Sequence, residues 1–324
     1  MVDPFVSVRG RVVINVEALN MTESVGNYVK HRRVPVVMPE TYATYFVPAV
    51  SGESIAHGYQ QAVTEEAIKK GLNVCDLCSR GYFLKSTNEA VFKESFKGID
   101  PPKDVKELES TVIEKCVVED VGGFLYAPAG GGINVKRTSN FYVGYMIPTK
   151  ESLENTVIEP QLHTRYALGT PFVEKGGRAG GQMIYYVELS SAAYTFSLDI
   201  DTKYLGKATF SMENAGKMVV TEEERKKRIG VVFDALSKFM IEMLFGAKRT
   251  RFLPVIEWES AVVAVSDDIW TVPSPFSKNY VEKAEEKLKK VNYNTQLFTY
   301  KKEVGFEAVI MDAMNEAKKR AGVS

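Results

Sequence analysis

Between the Gly26-Asn27 pair and the apolar run of residues 34–37, the chain sets Lys30, His31, Arg32 and Arg33 side by side. Two kinds of chemistry use such a run. Cationic side chains form charge-assisted hydrogen bonds to phosphate oxygens, so the run is a candidate grip on a nucleic-acid backbone. A histidine flanked by cations has its protonation disfavoured, and a neutral imidazole is a candidate base for metal-free RNA cleavage. No acid partner stands at a diagnostic spacing from His31. The bland alternative is a solvated charge run.

Similar groups recur at other element junctions. Ser51-Gly52-Glu53-Ser54 opens a helical pattern, where free backbone N–H groups and hydroxyls suit an anion. "VKRTS" carries Lys136 and Arg137, "QLHTRY" carries His163 and Arg165, and Arg178 tips the glycine-rich "EKGGRAGGQ". "GAKRTR" puts Lys248, Arg249 and Arg251 in a loop before a strand. Lys+Arg and Asp+Glu balance at 41 each, so no global field draws nucleic acid and any site must come from such local clusters. Interleaved with Asn, Ser and Thr, they suit a groove along a phosphate backbone. "ERKKR" (residues 224–228) lies in the first turns of an amphipathic helix and is expected on its solvated face.

Other chemistries find little support. "CDLC" places Cys75 and Cys78 at CxxC spacing, without a second pair or a following His. Cys116 and His57 could be recruited in space, but two reduced thiols at a helix start is the reading adopted, and no metal or cofactor is expected. Asp199 and Asp201 lack the Gly and distal Glu of a calcium loop. The glycine-rich stretches lack the spacing of a phosphate-binding loop. No apolar run approaches the roughly 20 residues that span a bilayer. No secretory leader is apparent, so a cytoplasmic protein is expected.

The elements that must position these residues follow from periodicity. Residues 5–20 alternate with period two, which predicts a first strand. "VPVVM" and "TYFVPAV" suit a hairpin. Residues 51–71 read as a helix stopped by Gly71, and a second helix opens with the capping box Thr221/Glu224 and ends by Gly246. Residues 73–135 look like a helical insertion closing in a mobile Gly-rich loop. Strands are expected at 136–148, 183–200 and 252–265, and two helices in the tail. The confident elements run strand, helix, strand, strand, helix, strand. That is the α+β, ferredoxin-like order shared by RNA-recognition motifs, and fold alone does not establish function.

"RGRVVINVEALNMTESVGNYVKHRRVPVV", "VPAVSGESIAHGYQ", "VEDVGGFLYA", "VKRTSNFYVGYMIP", "QLHTRYA", "VELSSAAYTFSLDID" and "GAKRTRFLP" resemble, in order, blocks of the archaeal DevR-type CRISPR-associated proteins. These are guide-RNA-binding backbone subunits of type I-A Cascade. The resemblance covers most of residues 6–265. It implies an RNA-recognition-motif palm (1–72, 136–148 and 183–266), a helical finger insertion (73–135), a thumb-like excursion (149–182) and a C-terminal helical extension (267–324). It implies a non-catalytic subunit whose copies stack along CRISPR guide RNA, with other Cascade subunits and target DNA as further partners, and no membrane. The implied RNA contacts are Asn20, Asn27, Lys30, His31 and Arg32 after the first strand, Ser51 and Ser54, and His163 with Arg165. Arg137 and the loop Lys248, Arg249 and Arg251 join them, and Arg33 and Arg178 complete the candidate set from the cationic clusters. Related subunits cleave RNA with an aspartate in the loop after the first strand; here that loop has Glu23 and no Asp, which points away from cleavage. Two other readings stay open: an endoribonuclease using His31, and a structural or regulatory subunit that binds an acidic protein face.

Overall fold

A computed structural model describes residues 2–166, 182–300 and 305–323. Strands β1 (Phe5–Glu17), β2 (Met21–Val25), β3 (Tyr28–His31), β4 (Arg33–Val37) and β5 (Thr44–Pro48) lead into helix α1 (Gly52–Lys69). Helices α2 (Asp76–Ser79), α3 (Glu89–Ser95), α4 (Val105–Lys115) and α5 (Val117–Gly122) follow, then the short strands β6 (Phe124–Tyr126), β7 (Val135–Arg137) and β8 (Phe141–Val143). After a 3-10 turn at Lys150–Asn155 come β9 (Val157–Tyr166), β10 (Gln182–Asp201), α6 (Glu222–Glu242) and β11 (Val255–Ser266). The chain closes with α7 (Tyr280–Leu288), β12 (Thr295–Tyr300) and α8 (Phe306–Arg320).

One mixed sheet organises the molecule, in the order β12-β11-β1-β10-β3-β2, with β8 and β9 also paired to β10. Its centre is β11-β1-β10-β8, each neighbour antiparallel to the next. The long β10 serves two layers. Residues 190–201 pair with β1, and residues 182–191 form a ladder with β9.

The alternation in β1 has a direct packing consequence. Val6, Val8, Val12 and Ile14 are fully buried beneath α1 and α6, against Ile55, Tyr59, Val63, Val232, Phe233 and Phe239. Both helices start on side-chain caps, Ser51 accepting from the Ser54 N–H and Thr221 from the Glu224 N–H, which satisfy donors left over by helix geometry. The other face of the sheet is covered too. Trp270, Val272 and Tyr280 pack on Val262 and Ala264 of β11, and Ser7 accepts a hydrogen bond from the Val272 N–H at 2.9 Å.

Several expectations change in detail. The first strand stops at Glu17, three residues early, where a register shift and a positive φ at Val16 bend it out of the ladder. Residues 136–148 form two short strands, of which β7 pairs with β6 inside the expected mobile loop. α6 ends at Glu242, before Gly246, because Met243 takes a left-handed cap. The tail adds β12 to the sheet edge. Among the described residues no helix is long and apolar enough to cross a membrane.

Candidate nucleic-acid interface

Asn20 is the centre of the candidate site. Its Oδ1 accepts from Arg32 Nε at 2.9 Å and from the Ser51 backbone N–H at 2.8 Å. Its carbonyl accepts from the Arg32 N–H at 2.8 Å, and Arg32's own carbonyl accepts from Ala49. One amide side chain therefore fixes the exit of β1, the β3–β4 junction and the N-terminus of α1. No acid pairs with Arg32 among the described residues, so its remaining guanidinium donors are available to an anion.

The loop after α6 reaches the same place. The Ala247 N–H donates to the Leu19 carbonyl at 2.7 Å, next to Asn20. A cleft of about 470 Å³ then opens between α1 and this loop, with Ser54, His57 and Gln61 on one wall and Arg249 on the other. Arg251 is exposed in the same loop, and partial burial lowers the pKa of Lys248. His163 of β9 stacks on Tyr185 and meets Phe252 edge-on, each at 5.3 Å between ring centres. A second cleft of about 590 Å³ is lined by Tyr28, Lys30, His31, Arg32 and Arg33, with Glu23 and Glu188 among them. Asn20 links Arg32 in this cleft to the helix start that opens the first. The result is a track of hydrogen-bond donors suited to successive phosphates.

The cationic run itself separates into different roles. Lys30 pairs with Glu23 at 3.2 Å on an exposed hairpin, and half-exposed Arg33 pairs with buried Glu188 at 2.6 Å. His31 turns inward, its side chain fully buried, with Nε2 2.6 Å from Glu17 Oε1 and Nδ1 2.9 Å from the Arg32 carbonyl. Burial by itself would lower its pKa, but the Glu17 hydrogen bond and charge outweigh it and the pKa is raised. Two expectations are thereby corrected. Protonation of His31 is favoured, because its nearest ionic partners are carboxylates, and its ring is enclosed in the protein rather than presented at the surface. Asn27 also works internally: Nδ2 donates to the Ile184 carbonyl at 3.0 Å, tying the β2–β3 turn to β10.

Arg137 is a further correction. Its side chain is buried, bonded to Asp120 and to the carbonyls of Tyr204 and Lys207, both at 2.8 Å. Arg228, expected on a solvated helix face, shares Asp120 at 2.7 Å, and Arg225 donates to the Leu205 carbonyl at 2.9 Å. These arginines clamp the segment before β8 onto the loop after β10. Arg165 lies in β9 by its backbone, paired with Met183; its side chain and Arg178 fall outside the described residues. Sequence reading missed Glu17 and Glu188, the acids that sort the cationic run. Glu188 accepts from Arg33, from the Tyr28 hydroxyl and from the His31 N–H. A carboxylate facing inward on an aromatic-rich strand was the available signal.

Known proteins match this chain along most of its length. The model of a family described as CRISPR-associated negative auto-regulator DevR/Csa2 matches residues 8–285. A CRISPR-associated aCascade subunit Cas7/Csa2 of Saccharolobus solfataricus is 39% identical over 262 residues, 79% of this chain and 78% of that protein. A second Cas7/Csa2 protein of the same organism is 36% identical over 272 residues, covering 83% and 81%. Among solved structures, a chain of a CRISPR RNA-guided surveillance complex in a pre-nicking form superposes with TM-score 0.53 at 10% identity, over 97% of this chain and 99% of that one. A chain of another CRISPR RNA-guided surveillance complex gives TM-score 0.53 at 9% identity. At such identity the likeness concerns the fold. The chain belongs to the DevR/Csa2 family of CRISPR-associated proteins.

Proposed function

We propose that this protein is a non-catalytic subunit that binds CRISPR guide RNA and stacks with copies of itself along it. In this reading it forms the backbone of a surveillance complex, with other Cascade subunits and target DNA paired to the guide as further partners. The relatives' names support the Cascade assignment. The order β11-β1-β10-β8, with α1 and α6 on one face, suits an RNA-recognition-motif-like palm.

The observation that carries the reading is the Asn20 hub. It holds Arg32 and the capped start of α1 together, and the Ala247–Leu19 bond beside it brings the Arg249 loop alongside, with donors spare for phosphate. The RNA runs along this rim of strand ends and loops, since the β11 side of the sheet face opposite the helices is already covered. The enclosure of His31 supports binding over cutting.

The test is a native gel of the protein with labelled single-stranded RNA, run beside a denaturing gel of the same samples. Arg32→Glu with Arg249→Glu should abolish the shift in protein that still folds, its stability lowered by about 1 kcal/mol for the lost Arg32–Asn20 hydrogen bond. The milder Arg32→Ala with Arg249→Ala should make the log K against log salt slope shallower by about 1.4, at about 0.7 for each single-strand phosphate that is no longer neutralised. A charge-reversed variant that shifts RNA like wild type would remove the interface, and shortened RNA on the denaturing gel would remove the non-catalytic reading.

A further inference from the structure

The segment between α1 and β8 holds a group of side chains that RNA binding does not use. The chain has three cysteines, and Cys75, Cys78 and Cys116 are all buried and unbridged. Together with Glu119 they bring three sulfurs and a carboxylate oxygen within 4.8 Å of one another, the one such group among the described residues.

The donors come from two segments separated by α3 and α4, and each contributes a matched pair. Cys75 precedes α2 and Cys78 lies in its first turn; Cys116 precedes α5 and Glu119 lies in its first turn. C-x-x-C and C-x-x-E each put two donors on one side of a single turn. The Val117 N–H donates to the Asn73 carbonyl at 2.9 Å and Asn73 Nδ2 to the Glu114 carbonyl at 3.2 Å, so the two turns are held together. Cys75 and Cys116 make no capping bond with their side chains, which leaves the sulfurs to face one another.

Glu119 supplies a second, independent observation. It is completely buried, and its Oε2 has no hydrogen-bond partner. Its Oε1 receives a long contact from the Cys75 thiol at 3.6 Å, and the neighbouring Ser86 hydroxyl is buried beside it. An inward carboxylate with so little compensation is costly unless a cation meets it. The Lys85 ammonium directs two of its three donors to the carbonyls of Gly122 and Gly123, at 3.0 and 3.2 Å, and makes no hydrogen bond to Glu119.

We propose that Cys75, Cys78, Cys116 and Glu119 form a closed, structural zinc site that locks this helical segment. Thiolate-rich tetrahedral sets with a single harder donor select zinc over magnesium, calcium or manganese. Zinc–sulfur bonds of about 2.3 Å place tetrahedral donors roughly 3.8 Å apart, so the group needs to contract by about 1 Å at most. All four donors belong to the protein and are buried, so no coordination position opens to solvent and the role is structural.

The experiment uses the full chain, purified without a metal-affinity step or chelator. Elemental analysis should find one zinc per chain. Stripping it with a chelator should lower the melting temperature, and adding zinc back should restore it. Cobalt(II) in its place should give thiolate-to-cobalt charge-transfer absorption and the visible bands of a tetrahedral ion. Glu119→Gln keeps all three thiolates and should lower zinc affinity by about tenfold or more in competition with a chromogenic chelator. Protein that folds without zinc, whose melting temperature zinc does not move, would overturn the proposal. So would a Cys75–Cys78 disulfide in protein isolated under reducing conditions.

Discussion

At His31 both ring nitrogens face acceptors, Glu17 Oε1 at 2.6 Å and the Arg32 carbonyl at 2.9 Å, a pairing that only the doubly protonated imidazolium satisfies in full. Glu17 is itself held by the Tyr194 hydroxyl at 2.8 Å and the Leu19 N–H at 2.6 Å, and Glu188 adds negative charge nearby. Burial opposes the charge, yet the carboxylate partner prevails and the folded-state pKa is raised. A raised pKa means the folded form holds the proton more tightly than the unfolded chain. The stability it contributes is complete below about pH 6.5, the unfolded value, and is lost as pH rises through the higher folded value. Urea unfolding should therefore show stability falling as pH rises above about 6.5, and His31→Ala should flatten that slope. The same variant leaves Glu17 unpaired in the interior and should cost about 3–5 kcal/mol at acidic pH. An unchanged slope in His31→Ala would assign the pH dependence elsewhere. None of this was readable from the flanking cations, because the fold turns His31 away from them onto Glu17, 14 positions upstream in β1, with Glu188 from 157 positions away.

Packing between α1 and the loop after α6 sets the width of the candidate cleft. A Cβ at Gly58 would stand 2.1 Å from the Leu244 carbonyl oxygen and 2.9 Å from Phe245 Cβ. The obstruction is backbone, so Gly58→Ala has to push the loop away from the helix. We expect a loss of about 1–3 kcal/mol from overpacking, and weaker RNA binding because Arg249 moves relative to Ser54. Full RNA affinity in a destabilised Gly58→Ala would mean that the loop's position does not matter to the interface. Elements with their own strong pattern were readable in advance: β1 by alternation, α1 and α6 by periodicity and by the caps Ser51 and Thr221. Elements stabilised by distant partners were not. The β2–β3 hairpin exists because β3 pairs with Tyr186 and Val187 of β10, and β7 because β6 lies beside it. In the candidate site, Arg32 and Ser51 meet at Asn20, and Ser54 and Arg249 line one cleft. Arg137 and Arg228 did not behave as surface cations, because Asp120 draws both inward.

In the RNA-binding reading proposed above, the mixed sheet offers two routes, across its face or along its rim, and the segment after β11 decides between them. Trp270, Val272 and Tyr280 lie almost fully buried against the face opposite the helices. Lys287 sits over the Trp270 ring at 4.4 Å, and the Pro275 carbonyl accepts from Arg11 of β1 at 3.3 Å. Binding across the face would require this cover to lift. At roughly 1.5–3 kcal/mol for each large apolar side chain returned to water, three of them cost at least about 4.5 kcal/mol, more than a thousandfold in affinity. The rim carries no such cost. Hydrogen exchange with and without single-stranded RNA separates the routes. Binding should slow exchange around residues 19–33, 51–62 and 244–252 and leave 267–293 unchanged. Faster exchange across 267–293 on adding RNA would mean that the cover opens and the bases reach the sheet. Trp270→Ala then distinguishes support from obstruction. If the rim is the route, loosening the cover should lower stability by about 3–5 kcal/mol without tightening RNA binding. If the face is the route, the same loosening should tighten it.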